Sequence, residues 1–119
     1  MIRVLPESDG QIVGVQASGT LTAEDYEKVW IPALQSVIAR EGKVRVLLYL
    51  DATFEGWDAG AMWEDAMFGV KNVTKFEKIA LVGGPEWVAR IVGIVGVVIP
   101  ADVKSFDGDE LEEAWNWVR

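Results

Sequence analysis

The chain has 119 residues, of which 19 are acidic and 11 basic, and it contains neither His nor Cys. This length suits one globular domain with a core of its own. The missing residue types exclude a Ser-His-Asp triad, a thiol nucleophile and the usual zinc ligands, and a formal charge of −8 disfavours binding to nucleic-acid phosphates.

The N-terminal segment predicts a β-hairpin. Ile2 to Leu5 and Ile12 to Ala17 are short and rich in β-branched residues, and turn formers separate them. Pro6 breaks the first apolar run too early for a signal peptide. The longest uncharged apolar run, Ile91 to Ile99, has nine residues, whereas a membrane-spanning helix needs roughly 20. We therefore expect a cytoplasmic protein, with peripheral membrane contact as a further alternative.

An interrupted helix should follow the hairpin. Thr22 to Asp25 resembles a capping box, in which the Thr hydroxyl accepts a backbone N–H of the first turn. Apolar residues recur at helical spacing from Tyr26 to Ile38, and Glu41-Gly42 ends the pattern. Pro32 has no N–H to donate. We therefore expect a kink near Lys28, or two helices with Pro32 in the first turn of the second.

A buried strand and a second helix occupy the middle of the chain. Val44 to Leu50 is almost continuously apolar, which is typical of a central strand covered on both faces. Asp58 is placed to cap the helix that follows, and such a helix buries its apolar stripe. The stripe comprises Ala59, Met62, Trp63, Ala66, Met67 and Val70, whereas Glu64, Asp65, Phe68 and Lys71 fall off it.

A third strand and a third helix come next. Phe76 to Val82 predicts the strand, Gly83-Gly84 a tight turn, and Pro85 the first position of a helix. From Trp87 to Ile99 the only charge is Arg90, so apolar side chains surround this segment. Its β-branched residues would also suit a strand, but a helix fits the alternation of elements better.

The C-terminal segment predicts a strand at Ala101 to Phe106 and a helix capped by Asp107 or Asp109. Leu111, Ala114, Trp115 and Val118 share one face of that helix, and Trp117 lies off it. The elements thus alternate as ββαβαβαβα. This order predicts a single α/β domain, in which four helices pack on a mixed, mainly parallel sheet of about five strands.

Three carboxylates, Asp51, Glu55 and Asp58, follow the central strand, at the sheet edge where ligand sites of α/β proteins lie. Such a group could divide acid and base roles or hold Mg²⁺. Capping and solubility explain acidic residues in this loop better, so we expect no catalytic residue, no metal and no cofactor. Gly83-Gly84-Pro85 is a weak candidate for anion binding, because it lacks the phosphate-binding glycine motifs.

Lys71, Lys75 and Lys78 lie around the predicted end of the second helix. Positive charge suits the negative end of the helix dipole, and this is the favoured interpretation. If the neighbouring surface touches a membrane, the same three lysines would face anionic headgroups.

The chain carries more large apolar side chains than a domain of this size buries easily, with six Trp, three Met and four Phe. They concentrate in the second and third helices and exceed one buried stripe per helix. Some should face a cleft, a membrane or another protomer; the alternative is that all of them are core. The candidate ligand-binding residues are Trp57, Met62, Trp63, Met67, Phe68, Trp87, Ile91, Ile94 and Val95.

Several segments together resemble the SpoIIAA-like family. They are Gly19 to Tyr26, Ile31 to Leu34, Gly56-Trp57, Phe76 to Gly83 and Ala114 to Trp117. The resemblance spans nearly the whole chain and implies a fold like that of STAS domains. It also implies a ligand-binding or membrane-associating role, through an apolar cleft bounded by the second and third helices.

The namesake of that family is an anti-sigma-factor antagonist that is switched by phosphorylation of a Ser at the start of the second helix. Here the corresponding place reads Asp58-Ala59-Gly60. Because Ala59 has no hydroxyl to modify, we do not expect switching by phosphorylation at this position.

Three functions remain open at this point. The first is a non-catalytic domain that binds a hydrophobic small molecule or lipid, or associates with a membrane, through the apolar cleft. The second is a STAS-type interaction module that uses the same surface to hold another copy or a regulatory partner. The third, which the residues favour least, is an enzyme that uses Asp51, Glu55 or Asp58.

Overall fold

The computed structural model describes residues 1–90, 93 and 99–119. The strands are β1 (Ile2–Val4), β2 (Ile12–Ala17), β3 (Thr20–Leu21), β4 (Val44–Leu50), β5 (Gly56–Trp57), β6 (Phe76–Gly83) and β7 (Asp102–Phe106). Helix α1 runs through Ala23–Asp25, a π-helical turn at Tyr26–Trp30, and Ile31–Glu41. Helix α2 is Ala59–Asn72, α3 includes residues 86–90, and α4 is Leu111–Val118.

The larger of two sheets has the strand order β1-β2-β4-β6-β7. Strand β1 pairs antiparallel with β2, and the other neighbours pair in parallel. Strands β3 and β5 form a separate parallel pair. The predicted α/β fold, with four helices and a mainly parallel sheet of five strands, is therefore confirmed. No helix among the described residues is long and apolar enough to cross a bilayer.

Helices cover both faces of the larger sheet, because alternate strand residues point to opposite sides. Val46 of β4 belongs to the cluster that α1, α2 and α3 cover, in which Trp30 is a buried member. Its neighbour Leu47 belongs to the opposite cluster, which α4 closes with Trp115. Val44 to Leu50 is thus covered on both sides, as its continuous apolar sequence predicts.

Helix α4 lies close to the sheet because β2 carries a glycine beneath its tryptophan. A Cβ atom built on Gly14 would lie 2.2 Å from the Trp115 ring. Any larger residue at this position would collide with the indole. The small residue in β2 therefore sets the distance between the sheet and α4.

Several local predictions are confirmed. Thr22 forms the capping box with Asp25, and Asp58 caps α2 by accepting the N–H of Ala61 at 2.8 Å. Pro32 lies in the first turn of the last segment of α1, directly after the π-helical turn. Pro32 cannot donate a hydrogen bond to the Lys28 carbonyl, so the helix widens around Lys28. This is the place where the sequence predicts a kink.

Other local predictions need correction. Neither Asp107 nor Asp109 caps α4 through its side chain; Glu110 occupies the N-cap position and makes no side-chain cap. Instead, the Glu110 carboxylate accepts the Asp107 backbone N–H at 2.7 Å. The short pair of β3 and β5 is not predicted by the sequence, since two residues per strand are too few to show alternation.

Candidate functional site

An apolar cavity of about 450 Å³ lies between the larger sheet and the helices α1, α2 and α3. The sheet contributes aliphatic side chains to its lining, among them Val46, Leu48, Ile79 and Leu81. Helix α2 contributes Phe68, and Trp87 and Val88 come from α3. A cavity of this size falls within the range of small-molecule sites in proteins.

Aromatic rings form much of the wall. Trp57 lies edge-to-face with Phe54 at 5.0 Å between ring centroids, and with Trp87 at 6.0 Å. A second edge-to-face pair joins Phe68 to Phe76 at 6.3 Å. Rings in this arrangement attract one another through opposite partial charges at edge and face, so the wall has a defined shape.

One chain of hydrogen bonds connects three elements at this wall. The indole N–H of Trp57 in β5 donates to the Tyr26 hydroxyl at 2.9 Å. That hydroxyl lies at the start of the π-helical turn of α1 and donates to Asp65 Oδ1 of α2 at 3.0 Å. Tyr26 is buried, and its hydroxyl both accepts and donates. We call these three residues the Trp57–Tyr26–Asp65 relay.

The protein environment shifts the acidity of both titratable members of the relay. Burial, followed by the negative charge of Asp65, raises the pKa of Tyr26 well above its ordinary range. Asp65 is exposed to solvent and also borders the cavity, where protein atoms around its carboxylate reduce its hydration. This desolvation raises the pKa of Asp65, although the hydrogen bond from Tyr26 acts in the opposite direction.

Helix α2 is rotated relative to the sequence prediction. Its predicted buried stripe faces outward, with Met62 61% and Trp63 66% exposed. Its fully buried residue is Ala61, and the off-stripe residues Asp65 and Phe68 line the cavity. The prediction that the stripe faces the core is therefore wrong. The exposed apolar residues, which we call the α2 outer face, are Met62, Trp63, Met67 and Val70.

The predicted ligand-binding residues fall into three groups. Trp57, Phe68 and Trp87 lie together in the lining of the cavity. Met62, Trp63 and Met67 lie on the α2 outer face instead. Ile91, Ile94 and Val95 lie outside the described residues. The predicted apolar surplus is thus divided between a cavity and an exposed surface, and these two adjoin where Val70 borders both.

The three predicted membrane-facing lysines do not lie together. Lys71 and Lys75 are exposed at the end of α2 and in the turn after it. Lys78 belongs to β6, where its ammonium donates to the Trp117 carbonyl at 2.9 Å and lies 5.1 Å from the Trp117 ring centroid. Lys78 therefore faces α4, on the opposite side of the sheet from the cavity.

Two of the three carboxylates after β4 have structural partners. Asp51 accepts hydrogen bonds from Ser18 Oγ at 2.5 Å and Gln16 Nε2 at 2.9 Å. Burial alone would raise the pKa of Asp51, but these bonds and those from Thr53 hold it well below its usual range. Asp58 caps α2, and Glu55 is exposed. Among the described residues, the one group of three carboxylates that lie within 4.8 Å of one another is Asp107, Asp109 and Glu110, in the turn before α4.

Sequence reasoning missed Tyr26 and Asp65 as site residues. Tyr26 was placed among core positions, and Asp65 on the polar side of α2. One signal was present: a buried tyrosine requires a hydrogen-bond partner for its hydroxyl. Ala61, Asp65 and Phe68 also recur at helical spacing, which identifies the side of α2 that meets this hydroxyl.

The chain is similar to known proteins in both sequence and fold. The SpoIIAA-like family model matches residues 12–119. A crystal structure of an uncharacterized protein from the DUF3478 family, with a SpoIIAA-like fold, from Shewanella loihica PV-4 is 25% identical to this chain. It superimposes with a TM-score of 0.79, over 100% of this chain and 93% of that one. No curated protein matches the chain.

Proposed function

The chain belongs to the SpoIIAA-like family, and we propose that it binds a hydrophobic small molecule or lipid without catalysing a reaction. The fold of this family is generally that of non-enzymatic regulatory and interaction modules. The binding site is the cavity between the sheet, α2 and α3. The ligand would contact the aromatic wall formed by Trp57, Phe68 and Trp87.

The observation that carries this proposal is an apolar cavity of about 450 Å³ beside exposed apolar side chains. Burial of about 300 Å² of ligand apolar surface would contribute roughly 7 kcal/mol before ordering costs. This free energy corresponds to a Kd of roughly 10 µM, and the ordering costs make the observed binding weaker than that. Neither Asp51 nor Asp58 is available as a general acid or base, because Asp51 accepts hydrogen bonds that hold a loop and Asp58 caps α2.

Gly69 offers a way to fill the cavity without disturbing the fold. This residue lines the cavity, and a Cβ atom added there meets no atom of the described residues within 4 Å. In a helix, replacing Gly also removes its unfavourable backbone entropy. Gly69→Phe should therefore occupy ligand space, whereas Gly69→Ala shares the helical benefit and leaves the cavity open.

The test measures binding of N-phenyl-1-naphthylamine, a neutral apolar probe, by its fluorescence. We expect the wild type and Gly69→Ala to bind it alike and Gly69→Phe to bind at least about ten-fold more weakly. Native mass spectrometry of the purified protein checks for a retained ligand. Equal probe binding by all three proteins would exclude the cavity as the site. Flotation with anionic vesicles distinguishes membrane contact from capture of single molecules.

A second candidate function is self-association through the α2 outer face. Trp63 is 66% exposed and Val70 75% exposed, and such contiguous apolar surface is typical of protein interfaces. In this case light scattering of the wild type gives the mass of a dimer, and Trp63→Ala shifts it toward the monomer. Val4→Ala is the control, because Val4 is also exposed but lies on edge strand β1. A monomer at high concentration would exclude this second function.

A further inference from the structure

We propose that the cavity selects apolar ligands that carry a protonated amine, which pairs with the carboxylate of Asp65. The inference rests on the proposed function, since it specifies the ligand class of the same cavity. Asp65 is the one charged side chain among the described residues of the lining. An apolar ligand with a cationic end therefore finds a charge partner there, and an anionic ligand finds none.

The hydrogen bonds of the relay leave Asp65 as an acceptor. The Tyr26 proton is committed to Asp65 Oδ1, and the Trp57 N–H is committed to the Tyr26 oxygen. Both donors of the relay are thus already used by the protein. Within the described part of the chain, Asp65 has no salt-bridge partner. A ligand that approaches this carboxylate gains most by donating a hydrogen bond to it.

Among the described residues, no cation of the lining competes for this position. Lysine and arginine are absent from the described lining. Residues 91, 92 and 94–98 are Ile, Val or Gly in the sequence, so their side chains carry neither charge nor donor. The formal charge of −8 adds a negative field over the whole domain. Both features oppose the anion of a fatty acid.

The aromatic wall also suits a cation. Trp57, Phe68 and Trp87 surround the same space as Asp65, and ring faces attract ammonium groups that have lost water. Desolvation makes an isolated Asp65 carboxylate unfavourable, which its raised pKa reflects. A bound ammonium would offset that penalty, because the attraction between opposite charges is stronger where water is displaced.

The test compares three ligands of equal chain length, decylamine, decanol and decanoate, as competitors of N-phenyl-1-naphthylamine at neutral pH. We expect decylamine to displace the probe about ten-fold better than decanol, and decanoate to be the weakest. In Asp65→Asn, which keeps an acceptor for Tyr26, the amine should lose its advantage over the alcohol. Glu64→Gln is the control: Glu64 lies beside Asp65 on α2 but not in the lining, so the preference should persist.

Each outcome decides between the two proposals. If decanol displaces the probe as well as decylamine does, the amine preference is wrong and the apolar cavity remains the binding site. The same holds if Asp65→Asn retains the preference while circular dichroism shows it folded. If no competitor displaces the probe and the probe itself does not bind, both proposals fail.

Discussion

The Tyr26 hydroxyl donates to Asp65 Oδ1 at 3.0 Å and ties α1 to α2 beside an apolar cavity. Helix α2 depends on this contact more than most helices would, because Ala61 is its one fully buried residue. A second close contact lies at its start, where a Cβ atom on Gly60 would be 3.0 Å from Ala23 Cβ. These contacts orient α2 while Met62, Trp63, Met67 and Val70 remain exposed.

Tyr26→Phe should loosen α2 without emptying the core. The variant keeps the ring but removes the hydroxyl, so Trp57 loses its acceptor and Asp65 its donor. We expect a loss of about 1–2 kcal/mol in the free energy of unfolding, with faster amide exchange in α2. Urea titration and hydrogen exchange measure both. Tyr49→Phe, on the opposite sheet face, should change neither; an equal loss there would contradict the role of the relay.

Gly14→Ala should destabilise the fold by overpacking. Its Cβ would lie 2.2 Å from the Trp115 ring, and extra atoms in a filled core cost about 1–3 kcal/mol. Adding Trp115→Phe makes room, so the double variant should be more stable than the sum of the two single effects predicts. Gly69→Ala, where space is open, should not destabilise. Strict additivity in denaturant unfolding would refute the steric explanation.

Asp65 should make the fold more stable in mild acid. Its pKa is raised in the folded state. The contribution of Asp65 to the free energy of unfolding is therefore fully present below the unfolded pKa of about 3.9 and is lost as the pH rises through the folded pKa. Asp65→Asn has no carboxylate to ionise. The difference in unfolding free energy between variant and wild type should therefore grow in favour of the variant as pH rises toward neutrality. A difference that is constant with pH would count against this.

Asp51 should have the opposite effect on the pH dependence of stability. Hydrogen bonds from Ser18, Gln16 and Thr53 lower its pKa in the folded state. Its contribution is therefore present above the unfolded pKa of about 3.9 and is lost as pH falls toward the folded value. Asp51→Asn should be less stable than wild type at neutral pH, and the gap should narrow on acidification. Asp102→Asn, at an exposed position, is the control and should be as stable as the wild type at neutral pH.

Local signals in the sequence predict much of this fold. The cap at Asp58, the interruption before Pro32 and the buried strand from Val44 to Leu50 follow from interactions among near neighbours in the chain. The apolar surplus also predicts that some large side chains cannot be core, and Met62, Trp63, Met67 and Trp87 are exposed. Composition alone supports this prediction, because the interior of a small domain has too little volume for all of these side chains.

Local sequence signals and composition do not predict the rotation of α2. Helical spacing gives the angles between side chains, but apolar residues cover more than one side of this helix, so periodicity leaves its orientation ambiguous. Contacts with residues distant in sequence resolve it: Asp65 meets Tyr26, and Gly60 meets Ala23. Similarly, Lys78 reaches Trp117 across 39 positions, which no local pattern indicates.

The sequence by itself thus determined the elements, their order and the excess of apolar side chains, because these depend on local backbone preferences and on composition. The tertiary structure alone decided which of those side chains line a cavity, which remain on the surface, and that a carboxylate joins the cavity wall. The reason is that the contacts that orient α2, of the Tyr26 hydroxyl with Asp65 and of Ala23 with Gly60, join residues distant in sequence, which local patterns do not encode.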